Sequence, residues 1–178
     1  MRLATAAALA LIAATPAFAA LAPGADAPDF TTRGATAGTI STVNLAKLLK
    51  KGPVVLYFFP AAFTPGCSAE ARAFAQAIPE FKKAGATVIG MSADPVDVLA
   101  DFSKKDCAGQ FMVASAGPAV IAGYDVSLGR AAPRVMTTRT SYVISPAGKI
   151  VYVHNDMNYA DHVRNTLDAV KRIAPARQ

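Results

Sequence analysis

A mixed α/β domain, with a central sheet flanked by helices, is the fold this sequence predicts, and three observations predict it. Residues 54–59 (VVLYFF) and 87–92 (TVIGMS) are short apolar runs that suit strands buried on both faces. Between them, residues 67–81 repeat at helical spacing, with Ala71, Phe74, Ile78 and Phe81 on one face. Residues 140–144 and 150–153 are strand-like and are joined by Ser145-Pro146-Ala147-Gly148, a turn sequence. A strand–helix–strand unit gives parallel strands, and the hairpin adds antiparallel ones. This is the arrangement of a thioredoxin-like domain.

In chain order, residues 20–29 are rich in Ala, Pro and Gly and read as an extended lead-in. Residues 39–43 form a short strand, and Asn44 caps a helix running through Leu49. The first buried strand is 54–59. The helix of 67–81 follows and is closed by Gly85. The second buried strand is 87–92. Asp94-Pro95 starts a helix, the acid as cap and the proline at the first position, with Val98, Leu99 and Phe102 facing inward. Residues 111–113 are a short strand, the hairpin comes next, and 158–173 form a closing helix. No internal repeat or linker interrupts this order.

The chain of 178 residues suits one such domain once its start is set aside. Met1-Arg2 gives a positive start, residues 3–14 are almost all Ala, Leu and Ile, Pro16 breaks the run, and Ala17-Phe18-Ala19 offers small residues to a signal peptidase. Residues 1–19 therefore read as a secretory signal peptide and residues 20–178 as the domain, exported to a periplasm or secreted. The apolar run is too short to span a bilayer, and no stable membrane association is expected after cleavage. The formal charge is +6, but Lys50-Lys51, Lys82-Lys83 and Lys104-Lys105 are isolated pairs at helix ends, where cations complement the helix dipole. Nothing in this pattern argues for nucleic acid. There are two cysteines, Cys67 and Cys107, and two histidines. An oxidising compartment permits a disulfide, yet a domain this size has no need of one for its core. Two His and no CxxC exclude a closed zinc site, and no metal or other cofactor is expected.

The chemistry centres on Cys67. Thr64 suits an N-cap and Pro65 the first helical position, which leaves Cys67 in the first turn. Unpartnered backbone N–H groups and the helix dipole there favour a thiolate, the nucleophilic form. A lone cysteine at a helix start is also compatible with a small buried hydrophobe. The spacing Pro60, Thr64, Cys67 decides between these readings, because PxxxTxxC is the signature of the peroxiredoxins. The stretch FFPAAFTPGC resembles the bacterioferritin-comigratory or Q-type subfamily of the AhpC/TSA superfamily, and so do FKKAGATVIGMSAD and RTSYVISPAGKI downstream, in the same order. The resemblance implies a thiol peroxidase acting on hydrogen peroxide and organic hydroperoxides. In it Cys67 is the peroxidatic nucleophile, Thr64 exchanges a hydrogen bond with the peroxide, and Pro60 shields the pocket. Arg139 stabilises the thiolate and the charge on the leaving oxygen. Arg139 alone also reads as a surface cation at a strand end. Glu70, one turn beyond Cys67, either orients Arg139 or is a solvated first-turn acid. His154 and His162 read as surface or packing residues.

The resemblance leaves the resolving cysteine open. Many Q-type members carry it five residues after the peroxidatic one, where this chain has Arg72. Others carry it on the next helix, near the position of Ser103. Here Cys107 lies four residues later, on the same helical face if the helix continues. It is either the resolving thiol, reached by local unwinding, or an idle half-buried residue in a one-Cys mechanism. Expected partners are the peroxide and a thioredoxin-like or other thiol reductant, with the protein a monomer or weak homodimer. An exported thiol-disulfide oxidoreductase would need CxxC, but Glu70 stands third after Cys67. A copper-binding module would want CxxxC plus His, and Ala71 stands there instead. A peroxide sensor shares the first chemical step and stays open.

Overall fold

The computed structural model describes residues 20–131 and 134–173. Residues 1–19, which the sequence reading takes for a signal peptide, lie outside the described residues. Strand β1 (Thr31–Thr36) pairs antiparallel with β2 (Thr39–Asn44), and α1 (Leu45–Leu49) follows at once, capped by Asn44 through its side-chain bond to the Lys47 N–H at 2.8 Å. Next come β3 (Val54–Phe58), α2 (Pro65–Lys83), β4 (Thr87–Ser92), α3 (Val96–Lys105), β5 (Met112–Ser115) and α4 (Pro118–Gly123). A separate hairpin of β6 (Ser127–Ala131) and β7 (Arg134–Thr137) precedes the pair β8 (Thr140–Ile144) and β9 (Ile150–Asn155). A 3₁₀ turn (Tyr159–Asp161), capped by Asn158, leads into α5 (His162–Ile173).

Seven strands form one mixed sheet in the order β2-β1-β5-β4-β3-β8-β9. β3, β4 and β5 run parallel, as strand–helix–strand crossovers require, and β8 lies antiparallel against β3. β3 is buried along its whole length, and its alternate side chains feed two cores. Val55 and Tyr57 pack with α2, α3 and α5 on one face. Val54, Leu56 and Phe58 pack with α1, α4 and Tyr124 on the other. This is the thioredoxin-like sheet with helices on both faces that the sequence predicts.

Three elements escape the sequence reading for identifiable reasons. β1 (TTRGAT) lacks apolar alternation, and its Gly34 packs so closely on β5 that an added Cβ would sit 2.8 Å from the Val113 carbonyl oxygen. α4 is six residues long and buries only Ile121. The β6–β7 hairpin lies off the main sheet. Two details of α3 also differ. Asp94 is not its cap: the N-cap position is Pro95, and the Asp94 carboxylate instead accepts from the Ala62 N–H at 2.7 Å and the Ser92 hydroxyl at 2.8 Å. Cys107 is not on the helix, which ends at Lys105 with Asp106 as C-cap. Gly109, at φ 66°, closes the helix end, its N–H donating to the Ser103 carbonyl at 2.9 Å.

Candidate active site

The site grows from the end of β3, where the chain leaves the sheet between two anchors. The Phe59 N–H donates to the Met91 carbonyl at 2.9 Å, and the Thr137 hydroxyl donates to the Phe59 carbonyl at 2.8 Å. Pro60, Ala61 and Ala62 are buried, and Asp94 holds the Ala62 N–H from below. Phe63 then adopts φ 64°, a left-handed conformation that is rare for a bulky residue. Its half-exposed ring rests edge-on against Phe102, and the Lys105 ammonium lies 5.8 Å from the ring centre.

Thr64 occupies the N-cap position and Pro65 the first helical one. The Thr64 hydroxyl does not cap the helix; it donates to the Ala61 carbonyl at 3.0 Å, which leaves its oxygen free to accept. The first intrahelical bond runs from the Ser68 N–H to the Thr64 carbonyl at 2.8 Å, so the Gly66 and Cys67 N–H groups lie ahead of the ladder at the positive helix end. Cys67 is buried in this first turn, with a free thiol.

Arg139, just before β8, reaches the same point. Its side chain is 6% exposed, which excludes a surface cation. Nη2 lies 3.5 Å from the Cys67 sulfur, Nη1 is ion-paired with Glu70 Oε2, and Nε donates to the Met157 carbonyl at 2.9 Å. Gly66 leaves room for this approach: a Cβ there would stand 3.3 Å from Nη2. Burial draws Arg139 downward, but Glu70 and Cys67 together raise it, so it stays charged. Glu70 is fully buried, which removes the reading of a solvated acid. Burial pushes its carboxyl up to about 8, against the opposing pull of Arg139.

Behind Glu70 stands His162, a residue the sequence reading took for surface or packing. It is fully buried at the start of α5, with Nδ1 2.7 Å from the Ser141 hydroxyl and 3.7 Å from Glu70 Oε1, and Nε2 2.9 Å from the Asp156 carbonyl. Burial draws it down to about 4. Its ring meets that of His154 edge-on at 4.5 Å. The available signal was spacing: His162, Thr166, Ala169 and Val170 recur on the buried face of α5.

Cys107 is fully buried, not half-buried, and belongs to the same core cluster as Cys67. Both thiols are free. Burial, then the neighbouring Asp106, push the Cys107 thiol far up, so it rests protonated. Asp106, also buried, accepts from the Ser68 hydroxyl at 3.1 Å and is ion-paired with Arg72. One carboxylate thus ties the residue after Cys67 to the residue before Cys107. Among the described residues, no group of three or more His, Cys, Asp or Glu side chains is placed to hold a metal ion, and no helix is long and apolar enough to cross a membrane.

The AhpC/TSA family profile matches residues 23–153. A chloroplastic peroxiredoxin Q of Oryza sativa is 33% identical over 151 residues, covering 84% of this chain and 67% of that protein. Peroxiredoxin Bcp of Xanthomonas campestris is 31% identical over 121 residues, covering 66% of this chain and 76% of that one. Among solved structures, the crystal structure of peroxidoxin BcpB from Mycobacterium tuberculosis superposes with a TM-score of 0.76 at 31% identity, over 85% of this chain and 97% of that one.

Proposed function

Because the chain belongs to the AhpC/TSA family, and within it to the peroxiredoxin Q and Bcp group, it is a thiol-dependent peroxidase of hydroperoxides, and we propose that Cys67 carries the reaction. The observation that carries this reading is the Cys67 sulfur at a helix start with the Arg139 guanidinium 3.5 Å away. The thiolate attacks the proximal peroxide oxygen, the O–O bond breaks, and the distal oxygen leaves as water or an alcohol once protonated. Cys67 becomes a sulfenic acid. Arg139 stabilises the thiolate and then the charge on the parting oxygens. Thr64, its own proton committed to Ala61, accepts from the peroxide O–H and so selects the protonated substrate. Pro60 walls the pocket, and Glu70 orients Arg139.

Cys107 resolves the sulfenic acid by forming a disulfide with release of water. Both thiols are buried in one core, and in this reading the first turn of α2 and the segment after α3 open so that the disulfide forms and becomes accessible. Peroxiredoxins of this kind act with thioredoxin-type reductants, and the opened disulfide is the form such a reductant attacks. The substrates are hydrogen peroxide and organic hydroperoxides. The domain works after export to a periplasm or outside the cell, as a monomer or weak homodimer, with residues 1–19 removed.

Stopped-flow oxidation with hydrogen peroxide and an alkyl hydroperoxide tests the assignment. Cys67→Ser is expected to abolish peroxide consumption, and Cys107→Ser to allow one turnover to sulfenic acid. Full activity in Cys67→Ser overturns it. Peptide mapping after one equivalent of peroxide is expected to find a Cys67–Cys107 disulfide; sulfenic or sulfinic Cys67 beside a free Cys107 thiol would refute the resolving role. Intact mass of the exported protein is expected to begin at Ala20, and a cytoplasmic protein retaining Met1 refutes export.

A further inference from the structure

We propose that His162 is a positioning residue of the peroxidase site: with Glu70 it holds one shared proton, and this proton leaves the charge of Arg139 available to Cys67. The inference rests on Cys67 being the reacting thiol, and it begins from an unpartnered atom. Glu70 Oε2 has Arg139, but Oε1 is buried and accepts no hydrogen bond. His162 Nδ1 stands 3.7 Å from it.

The tautomer of His162 follows from its other nitrogen. Nε2 faces the Asp156 carbonyl, which can only accept, so Nε2 carries a proton. In the neutral ring Nδ1 is then a bare lone pair. That lone pair can take the Ser141 hydroxyl proton, but an ionised Glu70 would leave the buried Oε1 facing it with no donor. One additional proton removes the conflict. On Nδ1 it makes an imidazolium beside the carboxylate; on Oε1 it makes a neutral acid beside a neutral ring. The Ser141 hydroxyl, 2.7 Å from Nδ1, serves both arrangements, because it accepts from Nδ1–H in the first and donates to Nδ1 in the second.

The charged and titratable groups around this pair are few. Glu70 comes from α2, with Cys67 one turn before it. Arg139 precedes β8, the ring of His154 comes from β9, and Asp156 follows β9. Tyr57 on β3 feels the Glu70 charge, and its buried hydroxyl has no hydrogen-bond partner. Among the described residues of this shell, Arg139 is the full positive charge that stands beside Cys67. An ionised Glu70 would neutralise it before Cys67 did. With the proton on Oε1 Glu70 is neutral, and with it on Nδ1 the imidazolium balances the carboxylate; in both the Arg139 charge is left to the Cys67 thiolate. The burial that lifts Glu70 and lowers His162 acts in the same sense. The loop closes on itself, because the Asp156 N–H donates to the Arg139 carbonyl at 3.2 Å.

The test reads the proton directly and then its consequence. In the wild-type protein, carboxyl 13C shifts of Glu70 and imidazole 15N shifts of His162 are expected to account for one proton on the pair, beyond that on Nε2, at neutral pH. An ionised carboxylate beside a neutral imidazole overturns the proposal. In His162→Asn, whose amide can donate to Oε1, Glu70 is expected to ionise. The pH at which half of Cys67 is alkylated then rises by about one unit, and the rate with hydrogen peroxide falls about tenfold. In the E70Q background, where residue 70 carries no charge, adding H162N is expected to produce no further loss. An equal H162N effect in both backgrounds marks a merely structural role and refutes the inference. His162→Gln, whose amide can still reach the Asp156 carbonyl, carries the same expectation where H162N does not fold. If Cys67→Ser retained activity, the peroxidase assignment would fall while the NMR result on the proton would stand by itself.

Discussion

Arg139 makes three contacts in three directions, and each fixes a different degree of freedom. The Met157 carbonyl sets the plane of the guanidinium, Glu70 sets its reach, and Cys67 receives the remaining Nη2. Arg139→Ala is therefore expected to slow Cys67 oxidation by on the order of a hundredfold, the scale for losing one preorganised donor. It should also raise the pH at which Cys67 alkylates. An unchanged alkylation profile would count against the role. The family resemblance pointed to Pro60, Thr64, Cys67 and Arg139 and left Glu70 open, and the structure brings Cys67, Glu70 and Arg139 together. His162 was not, since its importance lies in an oxygen of Glu70 that no linear pattern displays. The Met157 contact was equally invisible, because it is made by a backbone carbonyl and leaves no mark on residue choice.

The helices α2 and α3 are joined at their working ends by Asp106. It accepts from Ser68 at the start of α2 and pairs with Arg72 one turn further, while itself ending α3. Opening either cysteine segment has to break these bonds. Asp106→Asn is expected to cost about 1–3 kcal/mol of stability, the scale for disturbing a buried charged hydrogen bond. It should also speed Cys67–Cys107 disulfide formation and reduce sulfinic acid at excess peroxide. Quantifying both products by mass spectrometry checks this, and an unchanged ratio would refute the clasp. The sequence marked Arg72 only as a position lacking a cysteine. Asp94 was misread for a related reason: Asp-Pro is a common helix start, but here the buried Ala62 N–H competed for the carboxylate and won. Elements defined by apolar runs were read correctly; β1, whose pairing rests on backbone bonds and a glycine contact, was not.

Over the whole molecule, two buried groups shape stability against pH in opposite senses. Burial lifts Glu70 from 4.5 to about 8, so in that window the folded chain keeps a proton that the unfolded chain releases, and stability falls as pH rises. Burial lowers His162 from 6.5 to about 4, so in that window the unfolded chain takes up a proton that the folded chain refuses, and stability falls as pH drops. The two offset each other between 4.5 and 6.5. From 6.5 to about 8 His162 no longer offsets Glu70, whose contribution lowers the unfolding free energy by up to ~1.4 kcal/mol per pH unit. Denaturant titrations across this range check the slope, and E70Q should flatten it; a slope surviving in E70Q assigns it elsewhere. The two-sided core around β3 was legible because each of its side chains is apolar, whereas its charged annex depends on tertiary placement alone.

The complete burial of Cys107 has a consequence for measurement. A thiol sealed in the core meets a dissolved reagent only during a transient opening of the fold. Where reagent is concentrated enough to outpace reclosing, its labelling rate in the resting protein is a chronometer, ticking at the frequency with which that part of the chain breathes. The reading needs no added probe, because the molecule carries its own stopwatch.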